Sequence, residues 1–300
     1  DFIAFTQRTS FLGCDNIPMY DVHTYFRQES KRDQLPVRAS AISFNFLLAV
    51  FPSIIFLFTL IPYIPISGLD VSIHKFFKDV LPESGYAFLE STINSITTIK
   101  RSGLLSIGFL LAFYFSTNGV RMILLTFNKN HPNYAKRNFW RNRFASFRLT
   151  LYLFVLFIAS IILIITGDIF VEWFGGLINW EDTTGKIFLT LFQYVVILLL
   201  FFLGISLIYY YGPSVKHRWR FVTPGATFAT IFSILTSLGF GYLANNFISY
   251  NEVYGSIGTL IVLMIWINLN SLVLLVGFEI NNAVDVNRIL RQRADEVEDK

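Results

Sequence analysis

Six uninterrupted apolar stretches are separated by shorter polar segments along the chain. They lie at about Ala41 to Ile64, Leu104 to Phe127, Leu149 to Thr166, Ile187 to Tyr211, Val222 to Phe247 and Ser256 to Glu279. Each approaches the ~20 residues that an α-helix, rising ~1.5 Å per residue, needs to cross a bilayer core. The pattern predicts an all-α polytopic membrane protein, a bundle of six transmembrane helices with short amphipathic interfacial helices. It divides the chain into an N-terminal segment over residues 1–40, a transmembrane domain over 41–280 and a charged tail over 281–300.

Composition points the same way. Hydrophobic residues make up 54% of the 300 positions and charged residues 15%, against about 25% charged in ordinary soluble domains. Mean hydropathy is +0.54, and the 33 phenylalanines suit a lipid-facing surface better than an aqueous core. Cys14 is the only cysteine, so neither an internal disulfide nor a cysteine cluster for zinc is available. The histidines at 23, 74, 131 and 217 show no ligand spacing, and no cofactor or metal is expected. The polar start of the chain reads as lacking a cleavable signal sequence.

Basic residues orient the helices. Arg27, Lys31, Arg32 and Arg38 precede the first stretch, and Lys129, Lys136, Arg137, Arg141, Arg143 and Arg148 fill the second connection without an acid. Lys216, Arg218 and Arg220 lie in the fourth connection, and Arg288, Arg291 and Arg293 in the tail. The third and fifth connections are poorer in base, so the positive-inside rule predicts a membrane protein with both termini cytoplasmic. The first connection, about 65–103, carries Lys75, Lys78, Lys100 and Arg101 and runs against this trend. Its apolar spacing, Val71, Phe76, Phe77, Val80 and Leu81 and then Phe88, Leu89, Ile93 and Ile96, suggests two amphipathic helices forming a periplasmic cap. Pro18 to Glu29, with Met19, Val22 and Phe26, suggests a similar surface helix on the cytoplasmic side.

Polar and small residues inside the stretches are the candidates for function. In the fifth, Gly225, Ala229, Ser233, Ser237, Gly241 and Asn245 recur every four residues and form one stripe. Such a stripe packs helices closely, with Gly225, Ala229 and Gly241 as the contact points, or lines a solvated path. The first stretch repeats it with Ala41, Asn45, Ala49 and Ser53, and the second with Gly108, Ala112 and Ser116. Pro52 removes a backbone donor within the first helix, so a kink is expected there. Arg121 stands about two turns before the end of the second stretch, just after Asn118, and Glu279 closes the sixth on the same side. An Arg121–Glu279 pair would let both tolerate a dry setting. Asn268 and Asn270 occupy different faces of the sixth helix, and at least one is expected to bond across the bundle. Asn45, Ser53, Asn118, Arg121, Ser233, Ser237, Asn268 and Glu279 are thus the candidate path or substrate contacts.

No enzyme constellation emerges: the acids are scattered over loops and tail, and there is no phosphate loop, nucleophile elbow or zinc signature. The chain reads as a non-enzyme. The basic connection, Asn128 to Arg148, interleaves six cations with Tyr134, Phe139, Trp140, Phe144 and Phe147. Between two spans this suits topology and anionic lipid headgroups better than nucleic acid, which is not expected as a partner.

Several motifs carry a family resemblance: Arg38-Ala39-Ser40-Ala41, Leu104 to Gly108, Ser116 to Gly119, Tyr211-Gly212-Pro213, Arg218-Trp219-Arg220, Pro224-Gly225-Ala226, Tyr250 to Gly258, Trp266 and Gly277-Phe278-Glu279-Ile280-Asn281. Over about residues 20–285 the chain resembles the BrkB/YihY family of bacterial inner-membrane proteins. The resemblance implies six transmembrane helices with cytoplasmic termini, and the family has carried the labels virulence factor and ribonuclease BN. The missing catalytic groups argue against ribonuclease activity. Two functions are weighed. One is a transporter or lipid translocator for an anionic or amphiphilic substrate. The other is a non-transporting scaffold or envelope-assembly factor, with an envelope protein or a second copy as partner.

Overall fold

The computed structural model describes residues 19–64, 94, 99–128, 134–178, 183–216, 218–246 and 248–298. The expected cap over 65–103 falls mostly outside the described residues. Seven α-helices are described: α1 (Met19–Arg32), α2 (Leu35–Leu60), α3 (Ser102–Phe127), α4 (Phe139–Ile178), α5 (Thr183–Tyr211), α6 (Pro224–Asn246) and α7 (Ile248–Glu298). No strand occurs among the described residues, only an isolated antiparallel bridge between Tyr134 and Val215. Six helices, α2 to α7, contain segments long and apolar enough to cross a membrane.

Helix ends follow local chemistry. Gln34, with φ of 47°, breaks α1 from α2. At the far end α2 tightens into a 3₁₀ turn over Ile61–Tyr63, where Pro62 cannot continue the α-helical hydrogen bonding. Helix α2 runs through Pro52. Two boundaries differ from the sequence reading. The segment 248–255, read as the fifth connection, forms the first turns of α7, and the charged tail continues the same helix to Glu298. Gly255 and Gly258 weaken a helix by only about 1 kcal/mol each relative to alanine, and no proline intervenes to stop it. The third span begins at Phe139 rather than Leu149, because the basic, aromatic run before Leu149 also satisfies its backbone as helix.

The chain divides into two compact units, residues 44–119 and residues 1–43 together with 120–300. In the smaller unit α2 and α3 run antiparallel. Phe46 lies opposite Gly119 and Phe56 opposite Gly108, where a Cβ would sit 3.3 Å from the facing atoms. Phe56 and Phe109 pack with their rings tilted at 53° and centroids 5.4 Å apart. In the larger unit α5 packs between α4 and α6, and α7 packs against α6 and α1. Val22 of α1 and Ala283 of α7 are buried together, with Tyr25, Phe26 and Val284 around them.

The distribution of residues is that of a protein in lipid. Large apolar side chains face outward, among them Trp140, Tyr194 and Leu238 at 78%, 67% and 67% exposure. Small or hydroxylated residues are prominent in the interior, where Ala39, Ser43, Ser146, Ser206, Ala226 and Ala229 are each fully buried at 0% exposure beside larger residues such as Phe127, Phe278 and Leu124. Water would penalise so large an apolar surface, whereas acyl chains do not. Small interior residues let backbones approach, most closely where α6 crosses α7. A Cβ on Gly225 would collide with the Gly277 carbonyl oxygen, and one on Gly277 would stand 2.6 Å from the Gly225 oxygen. Ala229, the next small residue of the stripe, lies against the same glycine. Beyond the crossing the stripe opens, since a Cβ on Gly241 meets nothing within 4 Å.

Candidate functional site

Polar side chains of the larger unit concentrate at one end, where the α3–α4 loop, the α5–α6 loop and α7 meet. Helix α5 ends on Gly212, whose N–H donates to the Ile208 carbonyl at 2.8 Å. A Cβ there would collide with that same oxygen and come within 3.0 Å of the Phe127 ring. Pro213 then keeps the helix from continuing. Arg137, from the facing loop, donates to the carbonyls of Gly212 at 2.8 Å and Pro213 at 3.1 Å. One guanidinium thus satisfies helix-end acceptors that lack intrahelical partners. Burial, followed by the neighbouring cations Arg148 and Arg218, holds the Arg137 pKa below its ordinary value. The two loops are also stitched directly. The Ala135 N–H donates to the Ser214 carbonyl at 2.7 Å, and the Ser214 hydroxyl to Asn128 Oδ1 at 2.8 Å.

The start of α6 is closed by α7. Thr223 is the N-cap, accepting from the Ala226 N–H at 3.2 Å, and Pro224 occupies the first helical position, where no N–H is needed. The buried Gly225 N–H is met by Asn281 Oδ1 at 2.8 Å, while Asn281 Nδ2 donates to the Thr223 hydroxyl at 2.9 Å. One asparagine on α7 therefore completes the cap of α6. The next residue, Asn282, accepts from the Tyr134 hydroxyl at 2.8 Å. Its Nδ2 is buried without a hydrogen-bond partner. Burial raises the Tyr134 pKa well above its ordinary value, and Glu279, Asp285, Tyr25 and Asp33 add to the rise in that order. Glu279 itself is 1% exposed.

Aromatic rings fill the space beneath. Phe278 stacks on Phe127 with centroids 4.1 Å apart and planes within 5°, and Trp219 tilts against Phe278 at 5.6 Å. Tyr209 donates to the Leu274 carbonyl at 2.7 Å. Arg38 joins from α2, donating to the Thr126 carbonyl at the end of α3 and to Asp33 Oδ1 at 3.1 Å. The sequence motifs singled out above, Arg38, Gly212-Pro213, Trp219, Pro224-Gly225 and Gly277 to Asn281, thus belong to one network.

The candidate path residues separate between the two units. Asn45, Ser53 and Asn118 belong to the smaller one, and Ser53 bonds back to the Ala49 carbonyl at 2.7 Å. In the larger unit Ser233 is buried, and Ser237 accepts from the Trp266 indole at 3.2 Å. Asn268 reaches across to Ser40 and Ser43 of α2 at 3.2 and 3.3 Å, while Asn270 folds back on the Trp266 carbonyl. Arg121 places its guanidinium 4.8 Å from the Phe139 ring centre, and its Nε is buried with no hydrogen-bond partner. Tyr134, Arg137, Thr223 and Asn282 escaped sequence reasoning as site residues. Thr223-Pro224 is an N-cap signature, and two adjacent amides at the end of an apolar helix were a visible signal; Arg137 was hidden among six cations counted for topology.

Six apolar helices with buried amides and guanidinium groups at their ends define a multi-pass α-helical membrane protein. The chain belongs to the virulence factor BrkB family, whose model matches residues 26–300. It is 31% identical to a ribonuclease-like protein, YfkH, of Bacillus subtilis (strain 168), covering 81% of this chain and 88% of that one. It is 26% identical to a UPF0761 membrane protein of Tolumonas auensis over 90% of this chain and 88% of the relative. A UPF0761 membrane protein of Mannheimia succiniciproducens is 25% identical over 87% and 88%. No solved structure matches the chain.

Replacing Tyr134 with Phe leaves the buried Asn282 amide without its bond and destabilises the detergent-solubilised protein by about 1–3 kcal/mol in equilibrium unfolding. The unfolded phenol titrates near 10.0, whereas folded Tyr134 keeps its proton, so wild-type stability falls as pH rises past that value. Tyr134→Phe loses less over the same alkaline range; identical pH slopes would remove Tyr134 from this role.

Proposed function

We propose that the protein is a transporter or lipid translocator for an anionic or amphiphilic substrate, set in the bacterial inner membrane with both ends of the chain in the cytoplasm. The observation that carries this reading is Arg121. It stands within an apolar helix, faces an aromatic ring, and keeps an Nε donor buried without a partner. A cation costs about 2.5–3.5 kcal/mol at the centre of a span and less near its end, where Arg121 stands on the last two turns of α3. An anionic group passing or resting beside it would supply both charge and acceptor. Ser237 and Asn268, bonded to Trp266 and α2, give neighbouring helices polar contacts that can be exchanged for a substrate's. The role is binding and movement, without chemistry on the substrate.

A specific observation favours the second reading, a scaffold that recruits an envelope protein or a second copy. Many hydroxyls within the helices donate to carbonyls of their own turn, as Thr117, Thr150, Ser160 and Thr230 do at 2.7 to 2.9 Å. Such residues are satisfied in lipid and require no solvated path.

Vesicles containing the purified protein and a fluorescent anionic phospholipid separate the two. Wild type accelerates exchange between leaflets, and Arg121→Gln, folded normally, slows it about tenfold or more, the scale of one charge-assisted hydrogen bond. Absence of wild-type flux with every anionic lipid tried transfers the case to the scaffold. Orientation is read from Cys14, the only cysteine in the sequence. A membrane-impermeant maleimide leaves it unlabelled in intact spheroplasts and labels it after lysis; labelling before lysis reverses the orientation.

A further inference from the structure

Three guanidinium groups converge around Tyr211 at the end of α5, from the α3–α4 loop, α4 and the α5–α6 loop. Arg137 is fixed from below by its bonds to the Gly212 and Pro213 carbonyls. Arg148, on α4, lies with its guanidinium carbon 5.4 Å from the Tyr211 ring centre. Arg218, from the loop before α6, lies 5.7 Å from the same ring and 5.4 Å from that of Tyr210. The platform is braced, with Tyr152 at 5.3 Å from Tyr211 and Phe221 at 6.0 Å from Tyr210.

Nothing among the described residues neutralises this convergence. Arg38 and Arg32 pair with Asp33 and Glu29, whereas Arg148 and Arg218 contact only aromatic rings. The segments that carry the three arginines, 128–148 and 211–223, contain no Asp or Glu at all. Both outer cations also depress the pKa of Arg137, as neighbours sharing one field must. Like charges gathered on one ring repel, and cation–π contact returns only about 0.5–1 kcal/mol at exposed sites. Arg137 has its carbonyls, but among the described residues no hydrogen-bond acceptor meets the guanidinium groups of Arg148 and Arg218.

Position narrows the ligand. Arg148 directly precedes the apolar run from Leu149, and Tyr210 and Tyr211 close the apolar run of α5. Tyrosines and arginines at the ends of spans occupy headgroup depth. Trp140 and Phe144, on the first turns of α4, are exposed at 78% and 68%, as side chains resting in an interface are.

We propose that Arg148 and Arg218, on the platform of Tyr210 and Tyr211, form a binding site for a phosphate group, the headgroup phosphate of an anionic phospholipid or free phosphate. Two guanidinium forks present paired N–H donors suited to phosphate oxygens. The site lies on α4 and the α5–α6 loop, and its occupation does not depend on whether the protein moves its substrate.

The test is native mass spectrometry of the delipidated full chain, titrated with dioleoyl-phosphatidylglycerol or dioleoyl-phosphatidylcholine, beside calorimetric titration with inorganic phosphate. Wild type retains phosphatidylglycerol in preference to phosphatidylcholine, and Arg148→Gln with Arg218→Gln weakens that retention about thirtyfold. Replacing both by Lys restores part of it. Lys136→Gln with Arg141→Gln, which removes two exposed charges from the same basic region, weakens it much less. Should the first pair fail to fold, Arg218→Gln alone, at an exposed position, serves the comparison. Variant-sensitive retention of the lipid identifies the headgroup as occupant; variant-sensitive binding of phosphate without lipid preference identifies the free ion. Equal losses from the two pairs of substitutions, or no dependence on Arg148 and Arg218 with either probe, overturn the site.

Discussion

A polar group inside hydrocarbon must find its partner within the protein, and that constraint organises this chain. Large apolar side chains gain little by being buried when the solvent is itself apolar, so many of them face outward. The interior is enriched instead in residues that shorten helix–helix distances or close hydrogen bonds, beside a few stacked rings such as Phe127 and Phe278. The Gly225–Gly277 crossing is the tightest expression of it. Removing two side chains lets α6 approach α7 closely enough for Asn281 to reach the Gly225 N–H and complete a helix cap from a neighbouring helix. Packing and polar satisfaction are the same event at this point.

The loops obey the same rule. A helix that ends near the membrane surface leaves carbonyls exposed, and water is an uncertain supply there. Arg137 answers those of α5 and Arg38 that of Thr126 at the end of α3. These arginines are therefore structural and stand apart from Arg121, Arg148 and Arg218, whose recorded neighbours are rings. The distinction sorts a basic chain into cations that hold the fold together and cations left for anions to meet. The proposed function and the proposed phosphate site both rest on the second group.

Much of the fold was legible in the sequence because the membrane imposes a length. A run near twenty apolar residues admits one structure, and all six runs contain helix long and apolar enough to cross a membrane. Helix ends were less legible. The segment ending at Gly255 read as a connection, yet a glycine weakens a helix without stopping it, and α7 continues through it. The candidate site was visible as motifs without their geometry. Gly-x-Glu-x-Asn at 277–281 stands out on the page, but its partners at Thr223 and Gly225 lie far away in sequence. The bond between Tyr134 and Asn282 spans 148 residues with no local pattern to announce it. The Arg121 environment was likewise beyond reach, because the ring beside it begins a helix that was read as a loop.

The central claim is that loop and cap amides at this end of the larger unit are held by buried side chains as firmly as the helices themselves. Hydrogen–deuterium exchange of the full chain in lipid nanodiscs measures it most directly. The amides of Ala135, Gly225 and Ala226, bonded to Ser214, Asn281 and Thr223, should exchange as slowly as those within α5 and α7. Exchange at the rate of open loops would contradict the network and the crossing that supports it.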